Sequence, residues 1–207
     1  MGVGQPAPIH LPLPGEKGSV SLEEAIARRR SVRDFTSEPV SRSQLSQILW
    51  AAGGISVSSG GYRTVPSAGA TYPLEIFIVF GQDCIEEIDE GIYHYYVNSH
   101  SLLMHHRGDV RLELARAALA QAFIYEAPLD IVICAEYERT LRRYGSRGER
   151  YVHMEVGHAG QNIYLQATAL GLATVVIGAF HDEPVREVLR LDKKYRPLYI
   201  MPVGKPA

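Results

Sequence analysis

Three stretches of this 207-residue chain carry groups that could do chemistry together. The first is Arg28-Arg29-Arg30-Ser31-Val32-Arg33-Asp34-Phe35, with four guanidinium groups and a hydroxyl close in sequence. An arginine fork donates two hydrogen bonds in one plane, so the cluster suits a phosphate or another oxyanion. The competing reading is helix termination, because cations at a helix C-terminus meet the dipole favourably, for about 0.3–1 kcal/mol each. Ser31 and Arg33 continue past the expected helix end into extended chain, and that continuation favours an anion site. The second stretch is Pro66-Ser67-Ala68-Gly69-Ala70-Thr71-Tyr72-Pro73. Two prolines bracket small residues, giving a stiff backbone that can approach a flat ligand closely; taken alone it reads as a loop entering a strand. The third is Val175-Val176-Ile177-Gly178-Ala179-Phe180. There Gly178 either leaves a backbone N–H free to face a ligand or simply ends a strand.

The elements that must position these residues are legible from caps and periodicity. Residues 1–18, with Pro6, Pro8, Pro12 and Pro14, form an extended arm that cannot continue as helix, and its apolar residues want a surface to lie on. Capping boxes at Ser21–Glu24 and Ser41–Gln44 open two helices. The first runs to about Arg30, and the second ends at Gly53-Gly54. A loop from Ser56 to Gly61 follows, then a buried strand at 75–80 and a hairpin of 91–97 with 101–106 about Asn98-Ser99-His100. Asp109 is expected to cap a helix through about Tyr125. Strands are expected at 129–135, 174–179 and 198–203, and a short helix begins at Asp182/Pro184. The arginine-rich stretch 139–150 reads as a loop or broken helix ahead of the strongest helical segment, 155–170, ended by Gly171. Helices and strands mix without strict βαβ alternation, which predicts an α+β fold of one domain over 19–207.

Composition and motifs exclude several classes. Lys+Arg number 21 against Asp+Glu 23, so there is no basic excess for a nucleic-acid binder. No apolar run approaches the roughly 20 residues of a membrane span, and residues 1–18 lack the pattern of a signal peptide. Cys84 and Cys134 are the only cysteines, outside any CxxC, which points to a cytoplasmic setting without a disulfide framework. No GxGxxG, GxxxxGK[ST] or GxSxG occurs. His153 and His158 are five residues apart, not the four that put two ligands on one helical face, so HExxH zinc chemistry is excluded and no metal is expected.

Seven stretches in register, SLEEAIARRRSVRDF (after LPLP), PSAGATYPLEIFIV, GIYHY, RYVHMEVGHAGQNIYLQATALGLAT, VIGAFHDEPVREVL and PLYIMPVGKP among them, resemble the FMN-dependent nitroreductase family. The similarity spans nearly the whole chain and is greatest to the SagB-type dehydrogenase branch, which includes azoline oxidases. It implies a central, mostly antiparallel sheet flanked by helices, and a homodimer with FMN at the subunit interface. By that resemblance Arg29, Arg30, Ser31 and Arg33 contact phosphate, ribityl and the pyrimidine edge. Pro66, Ser67, Ala68 and Gly69 approach the flavin from the other subunit, Gly178 places its amide near N5, and Lys205 reaches the phosphate.

Departures from the pattern refine the expected activity. Typical nitroreductases carry Asn and Gln where this chain has Ala70 and Tyr72, which is the SagB-like form. Azoline oxidases use a Lys-Tyr pair where this chain has Arg150-Tyr151; Tyr151 could act as an acid or base, whereas a guanidinium rarely gives up its proton. The reading is an FMN-dependent oxidoreductase, NAD(P)H-linked, moving a hydride or electron pair to or from a small organic substrate. The alternatives are a dehydrogenase oxidising azoline heterocycles in a peptide, and a non-catalytic flavin-binding member.

Overall fold

The computed structural model describes residues 7–57 and 60–207. The first six residues of the arm, and Ser58 and Ser59 of the expected loop, lie outside the described residues. The elements in chain order are β1 (Ile9–His10), α1 (Leu22–Arg28), α2 (Arg42–Gly53), β2 (Ile55–Val57), β3 (Tyr62–Arg63), β4 (Leu74–Phe80), β5 (Gly91–Tyr96) and β6 (Ser101–Arg107). There follow α3 (Arg111–Ala117), α4 (Phe123–Glu126), β7 (Leu129–Ala135), α5 (Glu138–Tyr144), α6 (Arg147–Ala169), β8 (Ala173–Thr174), α7 (Asp182–Val188) and β9 (Arg196–Gly204).

Seven strands form one sheet in the order β1-β6-β5-β4-β7-β9-β8, with every neighbouring pair antiparallel. Period-2 alternation sorts its side chains onto two faces. Ile76, Ile78 and Phe80 pack with Leu45, Ile48 and Leu49 of α2 and Val152, Val156, Ala159 and Ile163 of α6. Phe77, Val79, Val132 and Cys134 face the other way, onto Leu114 of α3 and Val185 of α7. Because α6 lies across the first face for 23 residues, it sets the spacing of everything attached to it.

Both capping boxes form, at Ser21–Glu24 and Ser41–Gln44. The arm lies on the protein's own surface. β1 joins the sheet edge, Leu11 is buried, and Ser46 Oγ donates to the Pro12 carbonyl and meets His100 Nε2 at 2.7 Å.

The structure adjusts several expectations. The helix from Asp109 to Tyr125 is two helices, because Leu119 and Ala120 turn left-handed between them (φ 58° and 56°). The N-cap position is Val110, one residue later than expected, but Asp109 Oδ1 still accepts the first helical N–H, that of Arg111, at 3.0 Å, and the carboxylate also holds the Arg111 guanidinium at 2.7 Å. The strand expected over 174–179 is only β8: Pro202, which has no N–H, stands opposite Val175 in the β9 register, and a single bridge beyond it joins Ile177 to Ile200. The arginine-rich stretch takes the broken-helix form of the two expected, with the break at Gly145 (φ 57°), and the long helix α6 begins eight residues earlier than expected. Part of the expected loop 56–61 belongs to β2, which pairs with β3.

Candidate active site

The arginine segment leaves α1 and meets the chain that follows α6. Backbone fixes the approach: the Val32 N–H donates to the Thr174 carbonyl at 3.1 Å. The Tyr164 hydroxyl fastens it, bonding Ser31 Oγ at 2.8 Å and accepting the Val176 N–H at 2.8 Å. The Arg29 guanidinium lies 5.0 Å over the Tyr164 ring, and Arg33 lies 5.7 Å over Phe123, without a carboxylate partner for either among the described residues. Arg30 behaves differently. Its guanidinium donates to the Ala27 and Arg29 carbonyls at 2.9 and 2.8 Å, completing the helix end.

The C-terminal strand brings Lys205 alongside, through Thr36 N–H to Lys205 carbonyl at 2.9 Å, but its ammonium is paired with Glu38. Gly178 is exposed, two residues beyond the Val176 anchor, and a Cβ there would meet only Tyr199, at 3.9 Å. Its N–H has no partner among the described residues. The first and third stretches therefore converge on one locus, floored by Tyr164 and Tyr199.

The Pro66–Gly69 loop gathers at a second locus, near the N-terminal part of α6. Ser67 Oγ accepts the Tyr72 N–H at 2.9 Å and its side chain hydrogen-bonds the Glu155 carboxyl. Tyr151 packs edge-on against Tyr144 of α5 at 5.1 Å. Beside the loop a cavity of about 280 Å³ gathers Arg63, Glu75, His94, Glu155 and Tyr195. Burial pushes Glu155 up to about 7, against the pull of Ser67 and Arg63. Burial works on Glu75 too, but His94 at 2.7 Å and Arg139 at 2.5 Å more than offset it, so its carboxyl titrates below the usual range. Burial also lowers Arg63, whose guanidinium lies 4.3 Å over the Tyr72 ring.

Sequence reasoning passed over Tyr164 and Glu155. Each had a signal: a hydroxyl and a carboxyl set among the buried positions of an otherwise apolar helix face, between Val152, Val156, Ile163 and Ala167. Arg139 and Arg143 were read as part of an irregular segment and not as ligands of the loop.

The two loci attach at the two edges of the buried face of α6. Their attachment points, Glu155 and Tyr164, are nine residues apart, which is about two and a half turns and about 14 Å along the axis.

Comparison with known proteins accounts for this architecture. The family model described as the nitroreductase family matches residues 26–205. A Methanocaldococcus jannaschii protein described as a nitroreductase is 50% identical over 186 residues, covering 90% of this chain and 91% of that one. A nitroreductase structure from Ralstonia eutropha superposes with TM-score 0.84 at 28% identity, over 97% of this chain and 90% of that one. The Escherichia coli microcin synthetase McbBCD complex, with truncated pro-MccB17 bound, gives 0.74 at 25% identity over 95% of this chain and 77% of that one. With the α+β sheet, the matched family model and half its residues shared with the archaeal relative, this chain belongs to the nitroreductase family, a family of oxidoreductases.

Proposed function

We propose that the chain is an FMN-dependent oxidoreductase, NAD(P)H-linked and cytoplasmic, working as a homodimer that holds the flavin between its subunits. The observation that carries this reading is the separation of the two loci along α6, about 14 Å between their attachment points. Neither encloses a ligand alone, and a second copy would bring its loop over the first copy's arginine segment.

The residues present fit an FMN. Arg29 and Arg33 are guanidinium groups without a carboxylate partner among the described residues, suited to a phosphate or an electron-rich pyrimidine edge. Ser31 adds a hydroxyl held in place by Tyr164. Gly178 offers an amide N–H over open space that a side chain would fill. Arg30 and Lys205 fit less directly, since each must leave its present partner to take a phosphate. Bound flavin supplies the two-electron chemistry, and the protein supplies orientation and electrostatics. Arg33 sets a positive charge where the reduced ring gathers negative charge, which raises its potential. The loop from the second copy covers the ring and excludes water. Tyr151, whose ring packs against Tyr144 at the edge of that loop's support, would be the residue to hold or hand on a proton.

A second reading, oxidation of azoline rings in a peptide, is favoured by the likeness to the microcin synthetase complex. It would use Tyr151 as the acid or base, with Arg150 unable to share the role because a guanidinium keeps its proton. No helix among the described residues is long and apolar enough to cross a membrane.

The visible spectrum of the purified protein, followed by anaerobic addition of NADH and NADPH in parallel, tests the proposal. Flavin bands that bleach with a nicotinamide donor and return with a quinone or nitro compound support it. Protein that stays colourless and refuses added FMN overturns it. Yellow protein that never turns over points to the non-catalytic alternative.

A further inference from the structure

The loop from Pro66 to Pro73 enters left-handed backbone space three times, at Gly69 (φ 59°), Ala70 (φ 53°) and Tyr72 (φ 45°). Residues with a Cβ hold that conformation only where their surroundings impose it. Here the surroundings are α5. Arg143 donates to the Gly69 carbonyl at 3.0 Å, and Arg139 donates to the Tyr72 carbonyl at 2.9 Å. Between them Thr140, itself buried, bonds the Thr71 hydroxyl at 2.8 Å. Two further carbonyls are used within the loop, Ser67 accepting the Ala70 N–H at 3.1 Å and Ala68 the Thr71 N–H at 3.3 Å, and the Pro73 carbonyl accepts the Glu136 N–H at 2.9 Å. The N–H groups of Ala68 and Gly69 have no partner among the described residues. Most of the loop's carbonyls are therefore engaged, while two consecutive amides are left without a partner among the described residues. The fit is close as well. A Cβ on Gly69 would stand 2.6 Å from the Tyr144 hydroxyl and 2.7 Å from Arg143 Nε.

We propose that α5 is a positioning clamp, whose Arg139, Thr140 and Arg143 pull the loop carbonyls back so that the Ala68 and Gly69 amides form a donor face for the carbonyl-bearing edge of a flat, electron-rich ring. That the ring is a flavin held by a second copy rests on the reading above; the clamp does not. Successive outward N–H groups in such a turn favour negative charge, so the same face that binds the ring also stabilises its reduced form. Arg139 is braced from behind by Glu75 at 2.5 Å and Glu136 at 2.7 Å, which makes it a poor probe because its removal disturbs that network too. Arg143 is exposed, and its guanidinium bonds only the Gly69 carbonyl among the described residues.

The test compares R143A and R143K with the native chain, with FMN as the probe. In flavin-free protein, the amides of Ala70 and Tyr72 should exchange with solvent about tenfold faster in R143A, because their loop bonds open more often. FMN affinity should fall about tenfold, with a lower flavin midpoint potential. R143K should keep all three near native values, since an ammonium also donates to a carbonyl. T140V removes the neighbouring anchor at nearly constant volume and should speed the same exchange. Unchanged exchange in both R143A and T140V, or R143K as damaging as R143A, overturns the clamp. If the native chain takes up no FMN, the functional reading fails, and the exchange rates still decide the clamp.

Discussion

Replacing Tyr164 with Phe removes one oxygen and asks whether the arginine segment and the chain around Val176 are held as a unit. That oxygen accepts the Val176 N–H at 2.8 Å and bonds Ser31 Oγ at 2.8 Å. The ring of the variant refills the same space, so no cavity term arises. A half-buried backbone N–H left without a partner costs about 1–3 kcal/mol, whereas the exposed Ser31 hydroxyl turns to water for about 0.5 kcal/mol. The sum is about 2 kcal/mol, which for a chain of this size lowers the melting temperature by about 4–8 °C. If FMN must reassemble the loosened segment on binding, the same energy weakens its affinity about thirtyfold. Thermal melts with and without FMN and a flavin-fluorescence titration measure both effects. A Y164F protein that melts within about 1 °C of the native chain and binds FMN equally well would refute the reasoning.

Three further perturbations have defined outcomes. R33A should lower the flavin midpoint potential by removing the cation near the ring, and a potentiometric titration with no shift rejects that role. Glu155 is raised from 4.5 to about 7 in the folded chain, so the folded state holds the extra proton. Its contribution to stability is fully present below the unfolded value and is lost as pH climbs through about 7, a loss on the order of 3 kcal/mol at most. E155Q should therefore flatten the denaturant-measured stability profile over that range, and an unaltered profile counts against the assignment. Asp130 is fully buried, its carboxyl oxygens have no partner among the described residues, and burial raises it well above the usual carboxylate range. The same sign applies: D130N should melt higher than the native chain at pH 8, with the gain shrinking as acid protonates Asp130. A lower melting temperature at pH 8 would show that the charge is compensated.

The sheet and its helices were readable where local signals agree with the tertiary outcome. The Ser21 and Ser41 capping boxes, the apolar run at 74–80 and the hairpin about Asn98 each specify an element without help from distant residues. The misreadings share one physical cause, a tertiary partner that overrides local preference. Val175 and Ile177 have strand-forming side chains, but the position opposite Val175 is Pro202 of β9, which has no N–H to give a longer β8. Leu119 and Ala120 favour helix by propensity and turn left-handed instead. At the site, the arginine cluster was visible from composition alone, yet its division of labour was not. Arg30 caps its own helix, Lys205 pairs with Glu38, and Arg29 and Arg33 lie against aromatic rings. Apart from the neighbouring carbonyls that Arg30 takes, those partners lie far away in sequence, and only the fold brings them close.

The central claim is that one subunit's arginine segment and the other's loop share a flavin, and mixed dimers test it most directly. R33A weakens the first half-site, and G69V blocks the second by placing a branched side chain against Tyr144 and Arg143. Each variant alone should bind FMN poorly. Refolded together, the heterodimer carries one site with both halves native, so the account predicts about one tightly bound FMN per mixed dimer, read by flavin absorbance after gel filtration. Mixed dimers that bind no more flavin than either parent would place both halves within one chain and contradict it.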